Sequence, residues 1–187
     1  MSQTPIHSAP LTRRRFLTLS SASVVAVAAT PAWSSALLTS SERKLSFVHT
    51  HTAETLSLTY FKDGGYVNGA LTRLNHLLRD FRNEASHPID PALFDILYDL
   101  QVRANRDATY EIISGYRSPA TNQMLHERSS GVATHSMHME GRAIDVRLTG
   151  FSCKKLQELA LSAQRGGVGY YGASNFVHLD TGRVRRW

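Results

Sequence analysis

At 187 residues, with 42% of them hydrophobic and 19% charged, the chain has material for one packed domain and excludes a disordered or fibrous protein. Its net charge of +6 owes three units to arginines 13–15; the sequence after residue 36 keeps 18 basic against 15 acidic residues, a net +3 too slight for a nucleic-acid footprint. The single cysteine, Cys153, excludes an internal disulfide and reads as a small buried apolar residue, so stability must come from core packing.

The chain opens with LTRRRFLTLSSASVVAVAATPAWSSA, residues 11–36, which has a basic start, a modestly apolar middle and small residues at its end. These are the parts of an export signal, too short for a convincing membrane span. Thr12 to Leu17 resembles a twin-arginine signal, which implies export in the folded state to the periplasm. An ordinary secretory signal or an uncleaved anchor is the competing reading, and the Ser-, Ala- and Thr-rich middle argues against it. Residues 1–36 are thus expected to be the signal and 37–187 a single domain.

Alternating runs in residues 45–61 predict a hairpin, broken by KDGG at 62–65. Leu71, Leu74, Leu77, Leu78 and Phe81 recur at helical spacing within 66–82, with Arg73, Arg79 and Arg82 expected in water. HPIDP then starts a second amphipathic helix through Leu93, Phe94, Leu97 and Leu100. YEIISGYRS, residues 110–118, reads as a strand ending in a glycine turn, and Pro119 opens a helix over 119–128. After an extended segment over 142–148, a helix over 152–165 stops at Gly166 and Gly167, and VGYY and NFVHLD supply two short strands. The fold expected is α+β, a small antiparallel sheet packed against several helices.

In a strand over 142–148, Ile144, Val146 and Leu148 share one face, and Ala143, Asp145 and Arg147 the other. In FVHLD the same alternation groups Phe176, His178 and Asp180. If these strands pair, Asp145 and His178 converge, and His138 turns back over the same point through Gly141. Two imidazoles and one carboxylate form a known catalytic zinc set that leaves a fourth position for water. They also hold Fe(II) in oxygenases, which stays open as an alternative. The pair His49 and His51 lacks a carboxylate in a comparable setting and reads as solvated hairpin residues. His76, His87 and His126 read as helix-face or turn residues.

Ser136-x-His138-x-x-Gly141-x-Ala143-x-Asp145, the segment Ser114-Gly115-Tyr116-Arg117-Ser118 and the late Phe176-Val177-His178-Leu179-Asp180 together resemble the zinc D-alanyl-D-alanine peptidase superfamily, and within it the murein endopeptidase K family. The resemblance also covers LNHLLRDFR, FDILYDLQ and GGVGYY. It implies one zinc ion per chain, held by His138, Asp145 and His178, and hydrolysis of the peptide cross-links of peptidoglycan by metal-activated water. It makes Arg117 the cation that holds the carbonyl oxygen as it turns anionic, against the plainer reading of a surface charge at a strand end. Ser136, Tyr116 and His135 are expected at the substrate. Relatives place an acidic residue or histidine two or three positions before the last ligand, where this chain has Asn175 and Phe176. Asp180 is the nearest remaining carboxylate, either as proton acceptor or as the group that orients His178; Glu140 is a weaker candidate. Phe151, Tyr170 and Tyr171 read as groove walls or as core. A D,D-carboxypeptidase and a non-catalytic wall-binding module are the remaining alternatives.

Overall fold

The structure is a computed structural model that describes Met1 and residues 40–187, Ser130 excepted. Apart from Met1, the expected signal over 1–36 lies outside the described residues. Among those described, no helix is long and apolar enough to cross a membrane.

The hairpin expected near the start forms from β1 (Glu42–His49) and β2 (Thr55–Lys62), and the KDGG turn leads into a two-residue β3 (Gly65–Tyr66). Next come α1 (Asn68–Leu77), α2 (Pro91–Arg103), β4 (Tyr110–Ser114) and α3 (Pro119–Arg128). A 3-10 turn, Met137–Glu140, precedes β5 (Ala143–Leu148), α4 (Cys153–Ala163), β6 (Gly167–Tyr171), β7 (Phe176–Asp180) and β8 (Arg185–Arg186).

The class is α+β, but the sheet is neither small nor purely antiparallel. Eight strands run in the order β3-β2-β1-β4-β5-β7-β6-β8, with β1 and β4 parallel, as are β6 and β8. The β1 to β4 crossover carries the hairpin and two helices, as a parallel pairing requires a long connection.

Alternation places Leu45, Phe47, Leu58, Tyr60, Ile112, Ile144, Val146, Val177 and Leu179 in one buried cluster with Leu74, Leu93, Phe94, Leu97, Leu100 and Leu156 of the helices. Leu93, Phe94, Leu97 and Leu100 of α2 are fully buried, and each contributes about 1.5–3 kcal/mol relative to exposure, so this helix anchors much of the sheet. Its start is fixed by Asp90, whose carboxylate accepts from the Ala92 N–H, and by Pro91 in the first turn. Cys153 is buried, as expected.

Two sequence expectations fail locally. The helix expected over 66–82 ends at Leu77, because the Tyr116 N–H bonds the Leu78 carbonyl and Asp80 pairs its backbone with Ala85. Arg79 is therefore buried rather than wet, donating to Glu54, Glu84 and the His76 carbonyl. His49 is also fully buried: its Nδ1 accepts from the N–H groups of His51 and Thr52, and its ring meets Phe81 edge-on. Capping the hairpin turn is what draws it inward, while His51 stays exposed and stacks on Phe81.

Candidate metal centre

Strands β5 and β7 pair antiparallel with Asp145 opposite His178, flanked by the apolar pairs Ile144 with Leu179 and Val146 with Val177. Burial of the apolar residues against the helices thus sends the polar pair to the other face together. The third side chain arrives from the 3-10 turn. Ser136 caps it by accepting from the His138 N–H, and Gly141 ends it in the left-handed region at φ 65°. Any other residue there would be strained, and its Cβ would run into the Pro88 carbonyl oxygen.

His138 Nε2 lies 3.2 Å from His178 Nδ1 and 3.4 Å from Asp145 Oδ1, and the last two atoms are 2.8 Å apart. A tetrahedral ion with bonds of roughly 2.0–2.1 Å separates its ligand atoms by about 3.3 Å; the two distances from His138 match that spacing, while the hydrogen-bonded His178–Asp145 pair, at 2.8 Å, has to open by about half an ångström to admit it. All three residues are buried.

The outward nitrogens of both rings are engaged. His138 Nδ1 donates to the Gly115 carbonyl at 2.7 Å, and His178 Nε2 donates to Asp180 Oδ2 at 3.1 Å. These bonds leave the inward nitrogens as the ones able to present a lone pair to a cation. Asp180 is itself saturated: it accepts from Gly167 N, Gly182 N and two guanidinium nitrogens of Arg185, at 2.7–3.1 Å.

The charges follow this arrangement. Burial is the largest influence on the His138 imidazole and lowers its pKa despite Asp145. Burial also pulls His178 down, but hydrogen bonds and charge from Asp145 and Asp180 together carry it up to about 9. Against the upward pull of burial, His138 and His178 hold the Asp145 carboxyl well below the usual carboxylate range. Asp180 is likewise held low by His178 and Arg185 in spite of burial. The raised His178 and lowered Asp145 values both reflect their mutual hydrogen bond, which favours an imidazolium–carboxylate pair.

Arg117 follows β4 and reaches the same centre, with Nη2 3.9 Å from Asp145 Oδ2. Its backbone N–H donates to the His138 carbonyl, and its Nη1 donates to Asn122 Oδ1 at 3.3 Å. Its Nε is buried without a partner. Burial lowers its pKa, and Asp145 opposes that shift.

A cleft of about 260 Å³ opens over these groups, lined by Arg117, Ser136, His138, Asp145 and His178 together with His135, Tyr171, Phe176, Arg185 and Trp187. Of the residues expected at substrate, Ser136 and His135 lie on the cleft. Tyr116 does not; it stacks on His87 at 5.0 Å. Glu140 pairs with Arg142, also outside the cleft. Phe151 and Tyr170 are not on the cleft walls, and only Tyr171 of the three proposed aromatics is.

Sequence reasoning missed Asn122, Asp80, Arg185 and Trp187. Asn122 is buried, steers Arg117 and donates to the carbonyls of Ala133 and Thr134. Asp80 accepts from the N–H and hydroxyl of Ser118, fixing the start of α3 beside Arg117. Neither sits in a periodic pattern that would single it out.

An α+β domain with two histidines and one carboxylate buried beneath an open cleft defines a candidate metalloenzyme. The model for peptidoglycan L,D-endopeptidase MepK matches residues 37–187. The peptidoglycan L,D-endopeptidase MepK of Escherichia coli is 42% identical over 176 residues, covering 94% of this chain and 96% of the relative. The probable peptidoglycan L,D-endopeptidase MepK of Haemophilus influenzae is 43% identical over 146 residues, 78% of each chain. No solved structure matches significantly. This chain belongs to the MepK family.

Proposed function

We propose that this chain is a zinc-dependent peptidoglycan endopeptidase that hydrolyses peptide cross-links in the periplasm. The observation that carries the reading is the convergence of His138 Nε2, Asp145 Oδ1 and His178 Nδ1 within 3.4 Å of one another beneath a cleft. The relatives' L,D designation favours the diaminopimelyl-to-diaminopimelyl link, where an L-centre carbonyl meets a D-centre amine, over the D-alanyl link. Export by the twin-arginine route is supported by Thr12 to Leu17 and by a family match that begins at residue 37.

When bound by the three donors, zinc supplies Lewis acidity, making water nucleophilic near neutral pH and polarising a carbonyl. The protein's own residues supply the rest. The Arg117 guanidinium, on the cleft wall 3.9 Å from Asp145, stabilises the negative charge that develops on the carbonyl oxygen. Asn122 fixes its direction. Asp180 holds the Nε2 proton of His178 and so keeps Nδ1 turned inward. Of the two roles open to Asp180, orientation is the better supported: its oxygens are occupied by Gly167, Gly182 and Arg185, and its low pKa makes it a poor proton acceptor. His135 and Ser136, on the cleft wall, contact the stem peptide.

The test is digestion of purified sacculi, with mass spectrometry of the released muropeptides and metal content of the same preparation. Zinc-dependent release from cross-linked dimers, abolished by chelator, is expected. A folded, zinc-loaded protein that binds sacculi without releasing anything sinks the hydrolytic reading, and iron with oxygen consumption replaces it by an oxygenase.

A further inference from the structure

Trp187 is 49% exposed, yet it is held at several points. Its backbone joins the edge of β6, with its N–H donating to Val168 O and its carbonyl accepting from Tyr170 N. Its indole N–H donates to the Tyr171 hydroxyl at 3.0 Å, and the Arg185 guanidinium lies 4.9 Å from the centre of its ring. Gly169 makes room for it, since a Cβ there would meet the indole at 2.6 Å. The ring lies 5.2 Å from the His178 imidazole and forms part of the cleft wall.

Immobilising a large aromatic side chain while leaving half of it in water gains little for folding, because the exposed face buries no apolar surface. It does prepare a rigid surface for a ligand at low entropic cost. The surface continues beyond Trp187: Tyr171 and Phe176 stack at 4.6 Å and line the same cleft. Phe176 stands where the family resemblance implies an acidic residue or a histidine, and it makes that wall apolar.

We infer that Trp187 is a substrate-binding residue whose exposed indole face carries the methylene arm of the diaminopimelyl residue at the scissile bond, with Tyr171 and Phe176 continuing the platform. The inference rests on the proposed endopeptidase reading. A straight carbon arm between two polar ends fits a flat apolar wall beside a metal centre, because its methylenes can pack on the rings while its charged end stays in water. Arg185 ties the platform to the chemistry, since it contacts both the indole and the carboxylate that orients His178.

The experiment uses the full chain carrying Trp33→Phe, which leaves Trp187 as the sole tryptophan. The zinc-loaded protein is mixed with a purified muropeptide dimer joined through diaminopimelyl residues. Indole fluorescence is expected to change on mixing, with its midpoint at the KM for cleavage. Trp187→Ala is expected to keep zinc and lose roughly 10–100-fold in kcat/KM, chiefly through KM, while Trp187→Phe stays within about threefold of the parent. Unmoved fluorescence at saturating dimer, or an unchanged kcat/KM in a folded Trp187→Ala, overturns the assignment while a parent that still cleaves leaves the endopeptidase reading intact. A zinc-loaded parent that does not cleave the dimer overturns that reading and the assignment with it. The fluorescence measurement needs no change at position 187, so it decides the matter even where Trp187→Ala misfolds.

Discussion

His49 and His51 lie 5.9 Å apart, ring to ring, at the end of β1; His138 and His178 lie 5.0 Å apart between the 3-10 turn and β7. The two pairs differ in what surrounds them. His49 spends its Nδ1 on the hairpin turn, and the nearby Glu54 is engaged by Thr52 and Arg79. Phe81 lies against both rings of that first pair. In the second pair each ring gives its outward N–H to an oxygen, and a buried carboxylate stands between the inward nitrogens. Fitness for a cation thus rests on the partners that orient the rings and on one aligned anion, not on two imidazoles being close.

The contrast breaks most completely at Asp145. Asp145→Ala is expected to abolish metal uptake and lower cleavage by at least about 1000-fold, because two imidazoles alone hold a dication poorly; full zinc occupancy by elemental analysis refutes the ligand set. Arg117→Ala should keep the metal and lose about 100–1000-fold in kcat, since it removes the group proposed to face the developing oxyanion. An unchanged kcat assigns that role elsewhere. Asp180→Asn is expected to weaken zinc binding by about 10–100-fold in chelator competition through loss of the His178 orientation.

Acidity sharpens the same comparison. His178 in the metal-free protein is raised to about 9 from an ordinary value near 6.5. A bound cation must displace that proton, so apparent affinity should climb by about tenfold per pH unit as pH rises towards 9 and level off above it. The sign for the fold is the reverse: a raised pKa stabilises below 6.5, and this contribution is lost as pH rises through 9. The metal-free Tm should therefore fall across that window, and a flat Tm argues against the proton stored at His178. The smallest effect on chemistry belongs to the other pair. His49→Ala should leave kcat and metal content within about twofold while costing about 2–3 kcal/mol of stability, the scale of a buried truncation, in denaturant titration.

Much of the centre was legible because a strand's two-residue period is blunt. Ile144 and Val146 had to face the helices, so Asp145 could not, and the same held for Val177 and Leu179 against His178. What periodicity could not supply is pairing between distant segments. Strands β3 and β8 are two residues long and leave no pattern, and β1 meets β4 across more than 50 residues, which is why the sheet reads as smaller in the sequence than it is. Asn122 and Asp80 act through single hydrogen-bonded contacts that no apolar repeat announces. The burial of His49 likewise depends on one turn, and the aromatic wall on Trp187, the residue that follows the two-residue β8.

Because Asp145 and His178 are direct neighbours across the β5 and β7 ladder, sliding one strand past the other by a single position would swing one of them into the oily layer beneath the helices. A cation held at the proposed site would therefore act as a gauge of correct alignment, rewarding the chain only after these two strands have zipped in the proper frame. A metal-responsive folding phase confined to this half of the sheet is the behaviour such a gauge would give.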